Sequence, residues 1–429
     1  MKLKNVYDVF IERGFVEQIT DEVELRDLLK NVNITCYIGF DPTATSLHVG
    51  SLVPIMALMH MQKHGHRPLI LIGGGTGLIG DPSGKSEMRQ ILTREEIDYN
   101  ALCLKKQLSK YMDFSKGKSM LLNNAEWLTE LKYVEFLRDI GRHFSVNKML
   151  SAESYRIRLE TGLNFIEFNY MLLQAYDFLY LFKNYGCVLQ MGGNDQWGNM
   201  LAGSDLIRRI EGKNAYSMTF PLIMTAHGQK MGKTEKGTVW LDPGLTSPYE
   251  YYQFWINTDD SDVERFLALF TFLPMEEITE VRSLIDSQLN MAKTVLAYEA
   301  TKITHGAEAA VAAWKASTTA FNTRLVERVF FPSSDVPREE AKRDVSAMPS
   351  MVKTRAELEI GIPAFKLAHE TGLAGTSGEA RRLIAQRGMY VNDRPVEKFD
   401  EKINIGHLNE HGEIHLRKGK KIHVVVTVG

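Results

Sequence analysis

The stretch from Tyr37 to Ser51 reads YIGFDPTATSLHVGS, and it decides the fold of the first half of the chain. Its apolar beginning predicts a strand, the polar residues that follow predict a turn, and residues 47–64 predict a helix, in which Pro54 predicts a kink or a later start. In open α/β sheets, ligands bind where such turns gather beyond the carboxyl ends of the strands. The free amide groups at a helix start favour an anion. The stretch therefore predicts an anion site at which Thr43 and His48 lie.

Composition sets outer limits on fold and function. The 429 residues are 44% hydrophobic and 24% charged, which indicates a globular protein of two or three domains. The three cysteines, Cys36, Cys103 and Cys187, are scattered without C-x-x-C spacing, so we expect neither a disulfide framework nor a zinc site. This use of cysteine fits a protein of the reducing cytoplasm. We expect no secretory signal and no membrane helix. The net charge of −2 means that any RNA contact must come from local patches.

Residues 69–85, LILIGGGTGLIGDPSGK, predict a second strand followed by a glycine-rich turn. The glycines match the dinucleotide pattern G-x-G-x-x-G, but Pro82 follows where that pattern needs a helix to open. A P-loop match is one residue short. We therefore interpret the glycines as sites of close backbone approach, and the strand end as presenting Asp81 to a pocket. A basic loop with Lys85 and Arg89 comes next.

Residues 95–186 interrupt the strand–helix rhythm with mostly helical patterns, which indicates an insertion in the sheet domain. Within it, Tyr170, Gln174 and Asp177 are spaced i, i+4 and i+7, so they share one face of a helix whose other faces are apolar. Such a polar stripe either faces water or lines a polar ligand pocket.

Two further strands are predicted downstream. The first is Val188–Met191, which ends at two glycines and is followed by Asp195 and Gln196 at a helix start. The second is Phe220–Met224, which leads into a loop at 230–234 that reads KMGKT. The sheet domain is expected to end near residue 240.

The C-terminal part of the chain changes character. Residues 249–331 have helical patterns, and 332–352 are rich in proline and charge, which predicts a linker. The last 77 residues carry 13 Lys and Arg against 10 Asp and Glu, a surplus of 3. A T-x-x-E capping box at Thr376 predicts a helix ending at Gly388, followed by two short strands. This basic helix and hairpin suggest either an RNA surface or a solvated charged face.

Five blocks together resemble one family. GFDPTATSLHVG, GLIGDPSGK, NFIEFNYMLLQAYDF, GGNDQWGN and KMGKT occur in the order and at the spacing of the bacterial-type tyrosyl-tRNA synthetases, which are class I aminoacyl-tRNA synthetases. The resemblance covers nearly the whole chain, and its last unit resembles the alpha-L RNA-binding fold. It implies an α/β fold with a Rossmann-like parallel sheet. The implied domains are a catalytic domain (1–240) with a helical insertion at the dimer interface (95–186), a helical anticodon-recognition domain (241–331), a linker (332–352) and a small α+β RNA-binding domain (353–429).

The resemblance also implies roles for individual residues. Tyrosine binding is implied for Tyr37, Asp81, Tyr170, Gln174, Asp177 and Gln196. ATP binding is implied for Gly39, Asp41, His48, Gly50, Ser51, Asp195 and Lys233. Catalysis is implied for Thr43, His48, Lys85, Arg89, Lys230 and Lys233. RNA binding is implied for Arg381, Arg382 and Arg387. No protein-bound metal is expected, and Mg²⁺ accompanies ATP.

The implied activity converts L-tyrosine and ATP to tyrosyl-adenylate and pyrophosphate, and then passes the tyrosyl group to the terminal adenosine of tRNA(Tyr), in a homodimer. Asp81 can accept a hydrogen bond from a phenol and Tyr170 can donate one, so we expect this pair to recognise the tyrosine hydroxyl. Ser51 departs from the family pattern, which often has a second histidine there. The alternatives are a tryptophanyl-tRNA synthetase, another nucleotidyltransferase with an H-x-G motif, and a non-catalytic RNA-binding protein on a synthetase fold.

Overall fold

The computed structural model describes residues 4–83, 92–226, 228, 231–234, 237–321, 325–340, 342–419 and 422–429. At 153, 154, 157, 161, 233 and 234 it describes the backbone only. The predicted site residues Lys85, Arg89 and Lys230 therefore lie outside the described residues, as does the side chain of Lys233.

The α-helices are α1 Val6–Arg13, α2 Glu22–Asn31, α3 Leu52–Lys63, α4 Arg94–Leu108, α5 Ala125–Leu128, α6 Tyr133–Asp139, α7 Val146–Leu150, α8 Glu153–Thr161, α9 Phe165–Tyr185, α10 Trp197–Glu211, α11 Pro248–Ile256, α12 Val263–Phe270, α13 Met275–Thr279, α14 Asp286–His305, α15 Ala307–Phe321, α16 Arg355–Ile360, α17 Ala364–Glu370 and α18 Ser377–Ala385. The strands are β1 Gln18–Ile19, β2 Thr35–Phe40, β3 Arg67–Ile72, β4 Met120–Asn123, β5 Cys187–Gly193, β6 Tyr216–Phe220, β7 Lys233–Thr234, β8 Gly237–Thr238, β9 Ser350–Lys353, β10 Ile362–Pro363, β11 Met389–Val391, β12 Arg394–Pro395, β13 Lys402–Ile403, β14 Glu413–Lys418 and β15 Ile422–Val428.

The first sheet has the strand order β1-β6-β5-β2-β3-β4. Strands β2 to β6 run parallel, and only the two-residue β1 is antiparallel to its neighbour. The chain leaves β2 toward β3 and β4 and returns on the other side through β5 and β6. The strand order therefore reverses between β2 and β5, which is where an open parallel sheet offers a crevice for ligands.

The end of one strand was predicted wrongly. Residues 220–224 were expected to form a strand, but β6 occupies Tyr216–Phe220. All five of its residues are buried, as expected for an inner strand of a parallel sheet. Pro221 follows, and its missing N–H group cannot donate to a neighbouring strand.

The helix after the opening stretch begins later than residue 47, as Pro54 requires. Residues Val49–Ser51 form one 3-10 turn, and α3 starts at Leu52. Pro54 then lies in the first turn of α3, where backbone N–H groups have no partner within the helix. The amide groups of this turn are already hydrogen-bonded: Val49 donates to the Val239 carbonyl, Gly50 to His48 Nδ1 and Ser51 to the His48 carbonyl.

The insertion contains a strand that its helical patterns did not predict. Met120–Asn123 forms β4 and adds to the edge of the sheet beside β3. Only four residues long, this strand gives too short a periodic signal to be recognised among helices. Its carboxyl end brings Asn124 to the same edge as the ends of β2 and β5.

The predicted boundary near residue 240 is not a break in the core. One hydrophobic cluster contains residues of the sheet domain, such as Ile38 and Met218, together with Trp255 and Val295 of the following helices. The last helix of this part that the structure describes, α15, covers Ala307–Phe321.

The C-terminal unit has its own hydrophobic cluster, drawn from residues 358–426. Its sheet has the order β12-β11-β14-β15-β9, and β9 pairs in parallel with β15. The last residues of the predicted linker, Ser350 onward, thus belong to this sheet. Helix α18 ends at Ala385, before the predicted Gly388, because Arg387 already has a left-handed φ of 53°. No helix in the described part of the chain is long and apolar enough to cross a membrane.

Candidate active site

A cavity of about 410 Å³ opens at the carboxyl ends of β2 and β5, within the size range of small-molecule sites. The side chains that line it come from the opening stretch, the glycine-rich turn, α9 and the end of β5. Among the predicted site residues, those lining the cavity are Tyr37, Gly39, Asp41, Thr43, His48, Gly50, Ser51, Asp81, Tyr170, Gln174, Asp177, Asp195 and Gln196. The polar stripe of α9 therefore faces a cavity, which decides between the two interpretations of that stripe.

The most buried carboxylate of the cavity is held by two donors from the insertion. Asn124 Nδ2 donates to Asp177 Oδ2 at 2.8 Å, and Trp127 Nε1 donates to Asp177 Oδ1 at 2.7 Å. Burial raises the pKa of Asp177 to about 7, although both hydrogen bonds act in the opposite direction. This carboxyl group therefore changes its charge near neutral pH.

Tyr37 lies beside Asp177 at the same end of the cavity. Its hydroxyl oxygen is buried and has no hydrogen-bond partner among the described residues. Burial, followed by the charge of Asp177, raises the pKa of the Tyr37 phenol well above its usual range. A buried hydroxyl without a partner costs about 1–3 kcal/mol, so this end of the cavity suits a ligand with a hydroxyl group.

A second carboxylate, Asp41, lies at the carboxyl end of β2. It accepts hydrogen bonds from Tyr170 Oη at 3.0 Å and from Thr76 Oγ1 at 2.8 Å. Asn124 Nδ2 donates to Thr76 Oγ1 at 3.0 Å, so a chain of side chains connects Asp41 with Asp177. A Cβ atom at Gly73 would lie 2.0 Å from Asp41 Oδ1, so only glycine fits there. This supports the interpretation of the glycines as sites of close approach.

A third group surrounds Asp81, which is 7% exposed. Asp81 Oδ2 accepts from Gln196 Nε2 at 2.6 Å, and Oδ1 accepts from the Ser83 amide at 2.9 Å. Asn199 Nδ2 contacts Gln174 Oε1 at 3.0 Å. Tyr170 donates to Asp41, and Asp81 accepts from Gln196.

The turn of the opening stretch forms the outer wall. His48 Nδ1 accepts from the Gly50 amide at 3.0 Å, which fixes the imidazole ring over the turn. Gly232 of the KMGKT loop packs on this turn, since a Cβ atom at Gly232 would lie 3.4 Å from the Gly50 nitrogen. Gly232 has a φ of 84°, a conformation that favours glycine. Ser51 also lines this wall.

Several residues of the site gave no separate signal in the sequence. Asn124, Thr76, Gln190 and Trp127 line the cavity or hold Asp177 and Asp41 in place. Their spacing along the chain shows no motif, because they meet only when the strands are assembled. In the part of the chain that the structure describes, no cluster of His, Cys, Asp and Glu could hold a metal ion.

The predicted RNA-binding arginines lie in the C-terminal unit. Arg381, Arg382 and Arg387 are exposed. The Arg381 guanidinium lies 4.4 Å from the centre of the Phe365 ring and 5.3 Å from that of Phe399. These contacts hold its planar group at the surface.

Comparisons with known proteins give one consistent family. The family model of class I tRNA synthetases for tryptophan and tyrosine matches residues 29–322. The tyrosine–tRNA ligase of Syntrophus aciditrophicus is 66% identical over 428 residues and is matched over 100% of both chains. That of Desulfatibacillum aliphaticivorans is 58% identical, over 97% of both chains.

A solved structure agrees with these relatives. The C-terminally truncated mitochondrial tyrosyl-tRNA synthetase of Aspergillus nidulans superposes with a TM-score of 0.66 at 32% identity, covering 73% of this chain and 93% of that one. The family model spans more than half of the chain, and the relatives match its full length. The chain therefore belongs to the class I tRNA synthetases for tryptophan and tyrosine and, within them, to the tyrosyl-tRNA synthetases of the bacterial type.

Proposed function

We propose a division of roles within the cavity for the activity of a tyrosine–tRNA ligase, which the family assignment gives this chain. Tyr37 and Asp177 recognise the phenol of L-tyrosine at the buried end. The observation that carries this assignment is the buried Tyr37 hydroxyl, which has no partner among the described residues and lies beside a buried carboxylate. The tyrosine hydroxyl can accept from Tyr37, which gains its missing partner, and can donate to Asp177, whose oxygens have lone pairs beyond those used by Asn124 and Trp127.

The ammonium group of the substrate belongs between the side chains around Asp41, which include Tyr170, and those around Asp81. It carries three donors and needs three acceptors. Asp81 supplies a carboxylate, and Gln174 supplies its amide oxygen. Tyr170 donates its own hydrogen to Asp41, and a hydroxyl oxygen can accept as well as donate. We thus move Asp81 and Tyr170 from the phenol, where the sequence suggested them, to the ammonium end, with Gln196 holding Asp81 in place.

ATP occupies the outer part of the cavity. Thr43 and His48 lie at the turn where the phosphates would be stabilised, and Asp195 lies just after β5, where an acceptor suits the ribose hydroxyls. By family resemblance, the remaining positive charge at the phosphates comes from Lys85, Arg89, Lys230 and Lys233. Mg²⁺ accompanies the phosphates. Ser51 is shorter than the histidine often found in the family, so we expect little direct contact with ATP.

The chemistry needs no general base, because a carboxylate with a pKa near 3.5 is already ionised at neutral pH. Its oxygen attacks the α-phosphorus of ATP, the bond to the β-phosphate bridging oxygen breaks, and pyrophosphate leaves. The protein contributes position and positive charge in the transition state. The terminal adenosine hydroxyl of tRNA(Tyr) then attacks the tyrosyl carbonyl and releases AMP.

The test is tyrosine-dependent exchange of labelled pyrophosphate into ATP, with tryptophan and phenylalanine as parallel substrates and no RNA present. Exchange with tyrosine only is expected. Exchange with tryptophan would contradict the phenol site and favour the tryptophanyl alternative. A folded protein that exchanges with no amino acid would favour the non-catalytic alternative, and Ser51→His would then test whether the missing histidine is the cause.

The chain also acts on tRNA, and we propose that its C-terminal unit binds it as an alpha-L type domain through Arg381, Arg382 and Arg387. The helical domain is proposed to recognise the anticodon, and the cytoplasm is the proposed site of action. The variant Arg382→Ala with Arg387→Ala should weaken tRNA charging and leave tyrosine-dependent exchange unchanged. If charging keeps its wild-type kcat/KM, these arginines do not contact the RNA.

We further propose a homodimer through the insertion. Large apolar side chains are exposed there, including Val134 at 77% and Phe165 at 67%. Such exposure in one region marks an interface. Val134→Glu should shift the sedimentation coefficient toward that of a monomer. Val23→Glu is the matched control, because Val23 is 75% exposed on α2, outside the insertion. Equal behaviour of both variants would contradict this interface.

A further inference from the structure

One face of α4 lies along the opening stretch, and none of the roles above uses it. Asn100 and Gln107 are both 7% exposed and lie seven residues apart, so they share a face of the helix two turns apart. Leu104, which lies between them, lines the cavity. Asn100 Nδ2 donates to the Pro42 carbonyl at 3.0 Å. Helix α4 therefore holds the opening stretch beside the cavity.

Gln107 bonds to the two residues that precede His48. Its Oε1 accepts from the Leu47 amide at 2.8 Å, and its Nε2 donates to Ser46 Oγ at 3.0 Å. Ser46 Oγ in turn donates to the Leu47 carbonyl at 2.7 Å. Both ends of one buried, planar amide are thus used on consecutive residues, and this fixes the peptide group of Leu47 in position and orientation.

Main-chain bonds hold the same residues against the segment that follows the KMGKT loop. The Leu241 amide donates to the Leu47 carbonyl at 2.9 Å, and the Val49 amide donates to the Val239 carbonyl at 3.0 Å. His48 lies between these two bonds. The imidazole ring therefore projects from a short piece of backbone that is fixed by two main-chain bonds and by the side-chain amide from α4.

We propose that Gln107 is a positioning residue for adenylate formation, which acts by holding His48 where the phosphates of ATP bind. This inference rests on the proposed function, which places His48 at the phosphates. A preorganised donor stabilises developing charge without having to move, and a displacement of about 1 Å can cost about 10²-fold in rate. Both polar atoms of Gln107 are engaged by residues 46 and 47, so its effect on the reaction passes through them.

The test is single-turnover adenylate formation by Gln107→Met, which keeps the length of the side chain and removes both hydrogen bonds. With saturating ATP and tyrosine, the rate should fall by about 10- to 100-fold, as expected for a displaced donor. Tyrosine affinity in equilibrium dialysis should stay within about twofold of the wild-type value, because the phenol site lies elsewhere in the cavity. Ser46→Ala should act in the same direction with a smaller effect, since it leaves the bond from Gln107 to the Leu47 amide.

Gln62→Met is the matched control for a merely structural role. Gln62 lies at the end of α3 that is far from the turn, and it too uses both ends of its amide. Its Oε1 accepts from the Asp113 amide at 3.0 Å, and its Nε2 donates to the Asp113 carbonyl at 2.8 Å and to Ser119 Oγ at 2.6 Å. This variant should keep the wild-type rate of adenylate formation. An equal loss of rate in both variants would overturn the inference.

A double-mutant cycle shows whether Gln107 acts through His48. In the His48→Ala background, Gln107→Met should slow adenylate formation by less than about twofold. Independent effects of the two substitutions would overturn the inference, as would a wild-type rate for Gln107→Met alone. If Gln107→Met fails to bind tyrosine, Ser46→Ala takes its place in the cycle, and an unchanged rate for that variant would overturn the inference. Absence of pyrophosphate exchange in the wild-type chain would instead refute the proposed function itself.

Discussion

The affinity for tyrosine should depend on pH through one buried carboxyl group. Asp177 has a pKa of about 7, raised chiefly by burial. The ionised form accepts the hydrogen of the substrate phenol, whereas the protonated form has lost one acceptor oxygen and carries a competing hydrogen. Only the ionised fraction is then competent to bind, and the apparent dissociation constant increases as that fraction falls.

The size of the effect follows from this pKa. Between pH 8 and pH 6 the ionised fraction of a group with a pKa of 7 falls from about 0.9 to about 0.1, so the apparent dissociation constant should rise about tenfold. The assay is equilibrium dialysis of labelled tyrosine without ATP, so that groups near the phosphates take no part. Asp177→Asn should bind tyrosine more weakly and show no change across this range.

Phenylalanine is the matched ligand, because it differs only in lacking the hydroxyl group. Its weaker binding should vary by less than about twofold over the same pH range. A constant tyrosine affinity from pH 6 to pH 8 would refute the role of Asp177 at the phenol. A tenfold change for phenylalanine as well would place the titrating group elsewhere in the site.

Three further predictions follow from other groups. Asp81→Ala should weaken tyrosine binding by about 5- to 150-fold and ATP binding far less, and equal losses in the two binding constants would contradict its role at the ammonium group. Lys233→Ala should slow single-turnover adenylate formation by about 10²–10³-fold with tyrosine affinity intact, and an unchanged rate would contradict its role. Burial lowers the pKa of both His66 and His305 to about 4, so the unfolded chain binds more protons between pH 6.5 and pH 4. Above pH 6.5 the two neutral histidines do not lower the free energy of unfolding. As pH falls below 6.5, this free energy should decrease by up to about 1.4 kcal/mol per pH unit for each histidine. Urea titrations of His66→Gln should show a shallower decrease in the free energy of unfolding.

Features that depend on neighbouring residues could be predicted from the sequence. The shared face of Tyr170, Gln174 and Asp177 follows from helical periodicity, and α9 places all three on the cavity wall. The delayed start of α3 follows from the fixed geometry of Pro54. In both cases a few consecutive residues determine the conformation, so no knowledge of distant partners is needed.

Features that depend on assembly could not be predicted. Asp177 is held by Asn124 and Trp127, about fifty residues earlier in the chain, and nothing in their spacing marks that contact. The phenol was therefore assigned to Asp81 and Tyr170 on hydrogen-bonding capacity alone. That argument concerned residue types and required an acceptor and a donor. It could not decide which pair lies at the closed end of the cavity, because burial is a property of the assembled sheet.

The same burial explains how the cavity can discriminate among aromatic amino acids. With tyrosine bound in the proposed orientation, the Tyr37 hydroxyl gains a partner, and Asp177, already bonded to Asn124 and Trp127, accepts a further hydrogen bond. Phenylalanine would fill the space and exclude water while leaving the Tyr37 hydroxyl buried and unpaired, at about 1–3 kcal/mol. This penalty corresponds to a preference of about 5- to 150-fold for tyrosine. An indole N–H could satisfy only the acceptor, since it cannot accept from Tyr37. Selectivity thus comes from groups that are costly to bury, and the pH-sensitive affinity for tyrosine is a consequence of that cost.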